Sequence, residues 1–327
     1  MALPDRYPAD SRKKRGFRRN LLAWYDAHKR DLPWRRDRDP YRVWISEIML
    51  QQTRVNAVVD YYQRFLWRFP TVEKLAAARE ASVLAAWSGL GYYRRARMLH
   101  AAAKQIAKER GGKFPESSAE LRALPGIGRY TGAAIASIAF GEPAAVVDGN
   151  VERVLERLSG NGLTGSDAWP MAEHLLDPQR PGDFNQAMME LGATVCLPRG
   201  PVCAACPVKA FCATRGELKK EGQNLRQKKR EICYALHTRN GSVFMVQRPP
   251  DASLMPGMWE LPEAPSSNGA HAFTLRHSIT VTDYTVKVAR GPAPKRGPGK
   301  WMARERLGVL PLTGLARKIL RAANLMQ

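Results

Sequence analysis

Apolar residues recur at helical spacing through most of the first 215 residues of the chain. Spacings of three and four residues predict an amphipathic helix that begins near Phe17. The segment Leu32-Pro33-Trp34-Arg35 ends this pattern, because proline has no N–H to donate within a helix. Short helices separated by glycine and proline turns are then predicted at 44–65, 75–88, 94–108, 118–124, 130–140 and 151–158. Residues 1–19 are polar and basic and are expected to be flexible.

The pattern changes after residue 230. Two runs rich in β-branched and aromatic residues, at 232–238 and 242–246, flank Asn240-Gly241, a dipeptide typical of a hairpin turn. A further strand is predicted at 279–288 and a C-terminal helix at 312–323. Residues 216–230 carry many charges and few large apolar side chains, which predicts a linker. We therefore predict a mainly α part with no strand before residue 230, followed by a smaller α+β part.

The net charge and the placement of the cysteines limit the classes to which the protein can belong. The 327 residues include 52 Lys and Arg against 30 Asp and Glu, a net charge of +22 that favours a polyanionic partner such as nucleic acid. No run of 18 apolar residues predicts a membrane span, and no apolar core follows the basic N-terminus to form a secretory signal. Four of the five cysteines fall within 17 residues, which does not suit an extracellular disulfide framework, so a reducing, cytoplasmic compartment is expected.

These four cysteines are the sharpest chemical signal. Cys196, Cys203, Cys206 and Cys212 follow the spacing C-x6-C-x2-C-x5-C. Four soft ligands suit an iron–sulfur cluster or a zinc ion, and coordination chemistry alone does not choose between the two. Disulfides are a less favoured alternative, and the lone Cys233 is predicted to be a small core residue.

Three further segments carry candidate chemistry. The glycines of LPGIGRYT at 124–131 let bare N–H groups approach a phosphate, although an ordinary turn between two helices is the alternative. Asp148 precedes a periodic helix, where capping is the ordinary role of an aspartate. Glu47 lies in an apolar helical run. It either faces solvent or is buried with a raised pKa that suits a general acid. A pair of carboxylates is the usual equipment for cleaving a glycosidic bond.

In this order, these features resemble the helix-hairpin-helix DNA glycosylases that carry a [4Fe–4S] cluster, and among them the MutY-type adenine DNA glycosylases. The matching motifs cover most of residues 20–215: LPWR at 32–35, SEIMLQQTRV at 46–55, GLGYYRRA at 89–96, LPGIGRYT at 124–131, VVDGNV at 146–151, FNQAMMELGATVC at 184–196 and the cysteine run. The resemblance implies a mainly α helix-hairpin-helix glycosylase fold with a [4Fe–4S] cluster on the four cysteines. Its expected parts are a six-helix barrel at 31–139, an iron–sulfur domain at 20–30 and 140–215, and a smaller α+β Nudix-like domain at 231–327.

The resemblance also implies a reaction. A monomer would excise adenine from A:8-oxoguanine or A:G mispairs in double-stranded DNA, by base flipping and acid-catalysed hydrolysis of the N-glycosidic bond. Glu47 would protonate the adenine and Asp148 would stabilise the oxocarbenium-like sugar, with Tyr130 and Asn150 in support. Tyr130 also stands where bifunctional relatives carry a nucleophilic lysine, so a monofunctional enzyme is expected. The implied base-pocket and DNA-binding residues are Arg30, Trp34, Gln52, Thr53, Leu90, Tyr92, Gly126, Gly128 and Gln186.

The C-terminal part departs from this family. Residues 254–262 (LMPGMWELP) match its second domain, which recognises 8-oxoguanine, but the glutamate-rich Nudix metal box is absent and no nucleotide hydrolysis is expected. After Arg276-His277 the family's Phe-Ser-His loop is replaced by Ser278-Ile279-Thr280-Val281, which leaves Thr280 as the candidate hydroxyl for lesion recognition. The alternatives are a thymine or uracil mismatch glycosylase on the same scaffold and, less favoured, a non-catalytic iron–sulfur DNA-binding protein.

Overall fold

The chain forms two compact units. The computed structural model describes residues 11–160, 163, 165–218, 228–264, 272–279, 282–291 and 298–326. The first unit contains the described residues of 1–66 and 102–221, and the second those of 67–101 and 222–327. Residues 67–101, which were expected in the barrel, therefore share a compact unit with the C-terminal part. The division into a six-helix barrel and an iron–sulfur domain stays a prediction.

Helices form the regular structure that is described before Lys228. They are α1 (Ser11–His28), α2 (Pro40–Leu50), α3 (Val55–Arg68), α4 (Val72–Ala76), α5 (Glu80–Trp87), α6 (Arg94–Arg110), α7 (Ser118–Leu121), α8 (Arg129–Ile135), α9 (Gly149–Ser159), α10 (Gly165–Leu175) and α11 (Pro181–Thr194), and α12 (Gly314–Ala322) lies near the C-terminus. A short 3-10 turn at Pro33–Arg35 follows α1, and a π-helical turn at Ala136–Phe140 extends α8. In the part of the chain described here, no helix is both long enough and apolar enough to cross a bilayer.

Three of the helix predictions were wrong in their bounds, and one of them, 75–88, is divided into α4 and α5 by a turn at residues 77–79. Residues 11–19 were expected to be flexible, but α1 already begins at Ser11, because lysine and arginine are good helix formers and Phe17 anchors the helix in the core. The single helix predicted at 44–65 is two helices. Gln52 adopts a φ of 54°, a left-handed conformation that an α-helix cannot contain. Helices α10 and α11 lie in the part predicted to be helical, although no bounds were predicted for them.

The core of the first unit packs three helices against the cysteine segment. Phe17 and Tyr25 of α1 and Phe184 of α11 are buried together with the apolar face of α9. Phe17 also meets Phe211 edge to face, with ring centroids 5.8 Å apart, so that the cysteine segment rests on α1. The same burial of apolar surface that drives folding thereby fixes where the four cysteines lie.

Two small sheets form the C-terminal part of the second unit. The strands are β1 (Lys228–Leu236), β2 (Thr238–Arg239), β3 (Ser242–Gln247), β4 (Trp259–Glu260), β5 (Phe273–Ile279), β6 (Thr282–Arg290) and β7 (Gly299–Ala303). One sheet has the order β1-β6-β5, in which β1 and β6 are parallel. In the other sheet β3 pairs with β2, β4 and β7, all antiparallel. Helix α12 covers their shared apolar core.

The hairpin turn is confirmed, although its first strand is only Thr238–Arg239 because most of the run at 232–238 pairs with β6, and the linker prediction is wrong at its end. Asn240 and Gly241 have φ angles of 46° and 70°, as a tight turn between twisted strands requires. Strand β1 begins at Lys228, inside the predicted linker, because its first residues pair with β6 from Thr282 onward through backbone bonds that need no apolar side chains. Cys233 is buried, as predicted.

One buried amide ties α11 to the segment that precedes α9. The Asn185 side chain accepts a bond from Val146 N at 3.2 Å and donates to Ala144 O at 2.8 Å and to Ser137 Oγ at 2.9 Å. Asn185→Leu should lower the free energy of unfolding by about 3 kcal/mol, because it strands buried backbone groups. Urea unfolding measures the loss, and Asn56→Leu, at an exposed position of α3, is the matched control. Equal effects of the two substitutions would contradict this account.

Candidate active site

Glu47 is buried in the middle of α2. Glu47 is only 6% exposed, and its neighbours Ser46 and Ile48 are buried as well. The pKa of Glu47 is raised to about 7, mainly because the side chain is buried. A hydrogen bond with Tyr130 opposes the shift, and the nearby charge of Asp148 adds to it. Of the two interpretations that the sequence left open, the solvent-facing one is therefore wrong. The carboxyl group takes up and releases protons near neutral pH.

The glycine-rich turn at 124–131 positions Tyr130 beside Glu47. Gly126 takes a φ of 77°, and Gly128 is the extended residue that starts α8. A Cβ on Gly132 would stand 3.0 Å from Ser118 O, which shows how closely α7 and α8 approach. The pKa of Tyr130 is raised by burial and by the charges of Glu47 and Asp148, so its phenol stays protonated.

Asp148 caps α9 and belongs to the same site. Its Oδ1 accepts bonds from Asn150 N at 2.9 Å and Val151 N at 2.7 Å, and its Oδ2 accepts from Asn150 Nδ2 at 3.0 Å. The ordinary capping role is thus confirmed. Three N–H donors and the positive end of the helix dipole stabilise a negative charge at this point. The site therefore combines a buried carboxyl group whose pKa is raised with a second carboxyl group whose two oxygens accept three N–H bonds, an arrangement typical of acid–base catalysis.

Glu190 on α11 organises the basic side of the site. It bonds Arg30 Nε at 2.7 Å and Arg35 Nη2 at 2.8 Å. Burial opposes ionisation of Glu190, but the hydrogen bonds from Arg30 and Arg35 outweigh it and lower its pKa to about 2. Arg35, held in this way, also lowers the pKa of Glu47 through its charge. Arg30 was predicted to line a base pocket, and the structure places it in this ion pair.

Helix α9 links this site to the cysteine segment. Arg153 donates to Asn150 Oδ1 at 2.9 Å and, from the same guanidinium, to Cys196 O at 2.8 Å. One turn later Arg157 donates to Cys196 Sγ at 3.2 Å. Gly192 lets α11 pass directly over this cap, since a Cβ there would stand 2.6 Å from the Cβ of Asn150. Asp148 and the cysteine segment are thus built on one helix.

The four cysteines surround one recess, together with Arg157, Val195, Pro201, Lys209, Arg215 and Gly216. Burial, together with the charges of the other three cysteines, raises the pKa of Cys206 to about 11, against a hydrogen bond from Val208. Arg215 N donates to Cys212 Sγ at 3.4 Å. Across the described ranges, no three Cys, His, Asp or Glu side chains converge on the position of a single metal ion. The recess is lined with sulfur and with N–H donors.

The remaining predicted residues of the first unit lie in three settings. Trp34 is buried edge to face against Tyr62, at a centroid distance of 5.4 Å. Gln52 is exposed at the left-handed turn between α2 and α3, and the Thr53 hydroxyl bonds Gln51 O at 3.2 Å. Gln186 is partly buried on α11. Their roles toward a base or DNA stay predictions.

In the second unit, Tyr92 is 47% exposed with a φ of 48°, and Leu90 beside it is buried. Thr280 lies outside the described residues.

Sequence reasoning missed several residues of the site, among them Arg35, which was noted only as part of the motif at 32–35. Met189, whose Sδ lies 3.2 Å from the Tyr130 hydroxyl, and Glu190 lie three and four residues after Gln186, on the same helix face. Arg153 follows Asn150 by three residues. Helical spacing from residues already singled out would have found these three. Gly192 had no signal, because its role depends on which helix crosses it.

The comparisons with known proteins agree with this geometry. The model of the HhH-GPD superfamily of base excision DNA repair proteins matches residues 45–174. Adenine DNA glycosylase of Homo sapiens is 50% identical over 220 residues, which cover 63% of this chain and 40% of the human protein. Adenine DNA glycosylase of Mus musculus is 36% identical and covers 93% of this chain and 77% of its own length. The chain thus spans about two fifths of the human relative, and 41% of that of Rattus norvegicus.

Two solved structures share the helical fold. A thermostable thymine-DNA glycosylase superposes with a TM-score of 0.59 at 31% identity and covers 63% of this chain and 98% of its own. A non-covalent endonuclease III–DNA complex gives a TM-score of 0.53 at 23% identity, covering 62% and 96%, and supports the fold alone.

The raised pKa of Glu47 has a measurable effect on stability. A buried carboxyl group whose pKa is raised favours folding fully below its unfolded value of 4.5, and this contribution is lost as the pH rises to about 7. The stability of Glu47→Gln relative to the wild type should therefore rise across this window, by about 3 kcal/mol between pH 4.5 and pH 8. Urea unfolding at pH 4.5 to 8 measures the difference. The exposed Glu116→Gln is the control, and a pH-independent difference for Glu47→Gln would rule this account out.

Proposed function

Because the chain belongs to the adenine DNA glycosylase family of the helix-hairpin-helix superfamily, we propose that it excises adenine from A:8-oxoguanine and A:G mispairs in duplex DNA. The observation that carries the proposal is the buried Glu47, whose pKa is raised to about 7, next to the charge of Asp148. An N-glycosidic bond breaks when the departing base is protonated and the sugar cation is stabilised. This pair supplies both requirements.

The first step places adenine against Glu47. The base must leave the helix stack, because its glycosidic bond is out of reach inside the duplex. Protonated Glu47 then donates its proton to the adenine ring, at N7 by resemblance to the family. The C–N bond breaks with its electron pair going to the base, so neutral adenine leaves and Glu47 remains as the carboxylate.

The second step concerns the sugar. Cleavage leaves an oxocarbenium-like cation, and the Asp148 carboxylate lies ready as its counter-charge. Asp148 cannot turn away, because two backbone N–H groups and the Asn150 amide hold both of its oxygens. Water then adds to the cation and gives a proton to the Glu47 carboxylate, so an abasic site results and the acid is restored. Tyr130 offers a phenol that is protonated, not an amine, so no Schiff base forms at this position and the strand stays intact.

We further propose a [4Fe–4S] cluster in the cysteine recess. Zinc needs four sulfurs at about 2.3 Å from one point, whereas a cluster takes one cysteine per iron and suits sulfurs that line a wider recess. The N–H donors from Arg157 and Arg215 to Cys196 and Cys212 fit thiolate ligands. Such a cluster supplies structure, and the cationic Lys209 beside it is suited to DNA phosphates.

The glycine-rich turn and the C-terminal part complete the proposed DNA contacts. The backbone at Gly126 and Gly128 is suited to phosphates, which position DNA without reading its sequence. We assign recognition of 8-oxoguanine to the C-terminal part as a Nudix-like domain, on the match of residues 254–262 and on its mixed sheet with parallel β1 and β6.

The decisive experiment is single-turnover excision from a duplex with one A:8-oxoguanine pair, followed by alkali to reveal abasic sites. Wild-type protein should give alkali-dependent cleavage at the adenine, slower opposite guanine. Glu47→Gln and Asp148→Asn should each lower the rate constant by at least 100-fold while binding of the duplex persists, because each removes one half of the charge arrangement.

Duplexes with T:G and U:G pairs serve as controls. Cleavage at thymine or uracil without excision of adenine would replace the proposed substrate by that of a mismatch glycosylase. Excision that persists in Glu47→Gln would remove Glu47 from the mechanism. Efficient borohydride trapping of the wild-type protein on DNA would contradict the monofunctional assignment.

The cluster proposal has its own measurement. Anaerobically purified protein should contain about four iron and four acid-labile sulfide atoms per chain. Cys203→Ser should lower both values together, whereas Cys233→Ser, at a buried cysteine outside the recess, should not. One zinc ion per chain, without sulfide, would overturn the proposal.

A further inference from the structure

The segment Ser88–Tyr93, called here the Tyr92 turn, has an unfavourable backbone conformation at Tyr92. Gly89 and Gly91 take φ angles of 110° and 73°, and Tyr92 takes 48°. A tyrosine in the left-handed region has a conformational cost that its surroundings must offset. The Tyr92 ring is nevertheless 47% exposed, so burial of its own side chain does not hold it there. The restraint has to come from the residues on either side.

Two buried hydroxyl groups hold the two ends of the turn. The Ser88 hydroxyl donates to Leu312 O at 2.6 Å, and the Tyr93 hydroxyl donates to the same oxygen at 3.0 Å. The Tyr93 oxygen also accepts a bond from Gly89 N at 3.3 Å. Ser88 and Tyr93 are only 2% and 4% exposed, so these bonds do not compete with water.

Leu312 is more than 200 residues away in the chain, and its carbonyl is rigidly placed. Trp259 N donates to Pro311 O at 2.8 Å, and Thr313 N donates to Trp259 O at 2.9 Å, so both neighbours of Leu312 are tied to β4. Thr313 also caps α12. The acceptor is therefore part of the C-terminal core.

A second set of contacts joins the same parts of the second unit. Arg97 on α6 donates to Pro256 O and pairs with Glu80 at 2.9 Å. Arg317 on α12 donates to Ser88 Oγ at 3.2 Å. Residues 67–101 and the C-terminal part are thus joined by hydrogen bonds at several points, in keeping with their membership of one compact unit.

We propose that Ser88 and Tyr93 are positioning residues through which the C-terminal part sets the conformation of the Tyr92 turn. An exposed aromatic ring on a strained turn suits stacking against a DNA base. The C-terminal part would then act on excision without touching the adenine, because it determines whether Tyr92 is presented to the duplex. This inference rests on the proposed function only in the statement that Tyr92 contacts DNA.

Arg95 supplies an independent restraint inside the turn. Its guanidinium donates to Leu90 O and Gly91 O, each at 3.3 Å, and lies 5.4 Å from the centroid of the Tyr92 ring. These contacts stay within residues 67–101. Substitutions at Ser88 or Tyr93 should therefore loosen the turn without unfolding it.

Hydrogen exchange of the full-length protein without DNA tests the restraint directly. In Tyr93→Phe the exchange of the peptide that contains Gly89 to Tyr92 should quicken about fivefold, which is the effect of losing a typical buried hydrogen bond. Tyr284→Phe, the same chemical change on β6 of the same unit, should leave that peptide unchanged. Unchanged exchange in Tyr93→Phe would overturn the inference whatever the enzyme's activity. If Tyr93→Phe melts far below the wild type, Ser88→Ala decides by the same measurement.

A double-mutant cycle then separates positioning from a general loss of stability. Tyr93→Phe should slow single-turnover excision about fivefold in the wild-type background and have no effect in Tyr92→Ala, because both act through one ring. An equal loss in both backgrounds would contradict the positioning role. Wild-type protein that excises no adenine would refute the proposed function alone, since the exchange measurement does not depend on it.

Discussion

The cap that Asp148 places on α9 is the interaction on which the rest of the site depends. The Oδ1 atom of Asp148 accepts bonds from two of the N–H groups that a helix leaves open at its start, and its Oδ2 atom accepts a bond from the Asn150 side-chain amide. From that start α9 runs to Arg153 and Arg157, which hold Cys196 by its carbonyl and its sulfur. One helix thereby determines the position of a candidate catalytic anion and of a cysteine ligand. Gly192 makes the close passage of α11 possible at the same point.

Electrostatics then divides the acidic groups into two kinds. Burial raises the pKa of Glu47 to about 7. Glu190 is also buried, but its hydrogen bonds with Arg30 and Arg35 lower its pKa to about 2. The difference lies in the partners and not in the residue type. Arg35 takes part in both settings, because it is bound by Glu190 and moderates the shift at Glu47. A site with one protonated and one ionised carboxyl group follows from this arrangement.

In the second unit, hydrogen bonds between distant residues join residues 67–101 to the C-terminal part. Residues 67–101 follow the first helices in sequence, yet the buried bonds from Ser88 and Tyr93 reach Leu312. A carbonyl that serves two hydroxyl donors is a demanding arrangement, since both donors must arrive at one oxygen. Through these bonds the C-terminal part restrains a turn that carries an exposed aromatic ring.

Local patterns in the sequence were enough to predict the helical character of the first part, the turn at Asn240-Gly241, the cysteine cluster and the candidates Glu47 and Asp148, and the family resemblance of the motifs added Tyr130 and Asn150. These depend on local spacing, turn chemistry and motif order, all of which are present in the order of residues. The burial of Glu47, the ion pair of Arg30 with Glu190, the passage of Gly192 over Asn150 and the bond from Ser88 to Leu312 are visible only in the fold. Burial and pKa depend on which side chains arrive from distant elements, and no local pattern contains that information. The helix that begins at Ser11 and the strand that begins at Lys228 were missed for the same reason, because packing and backbone pairing extended elements beyond their apolar residues.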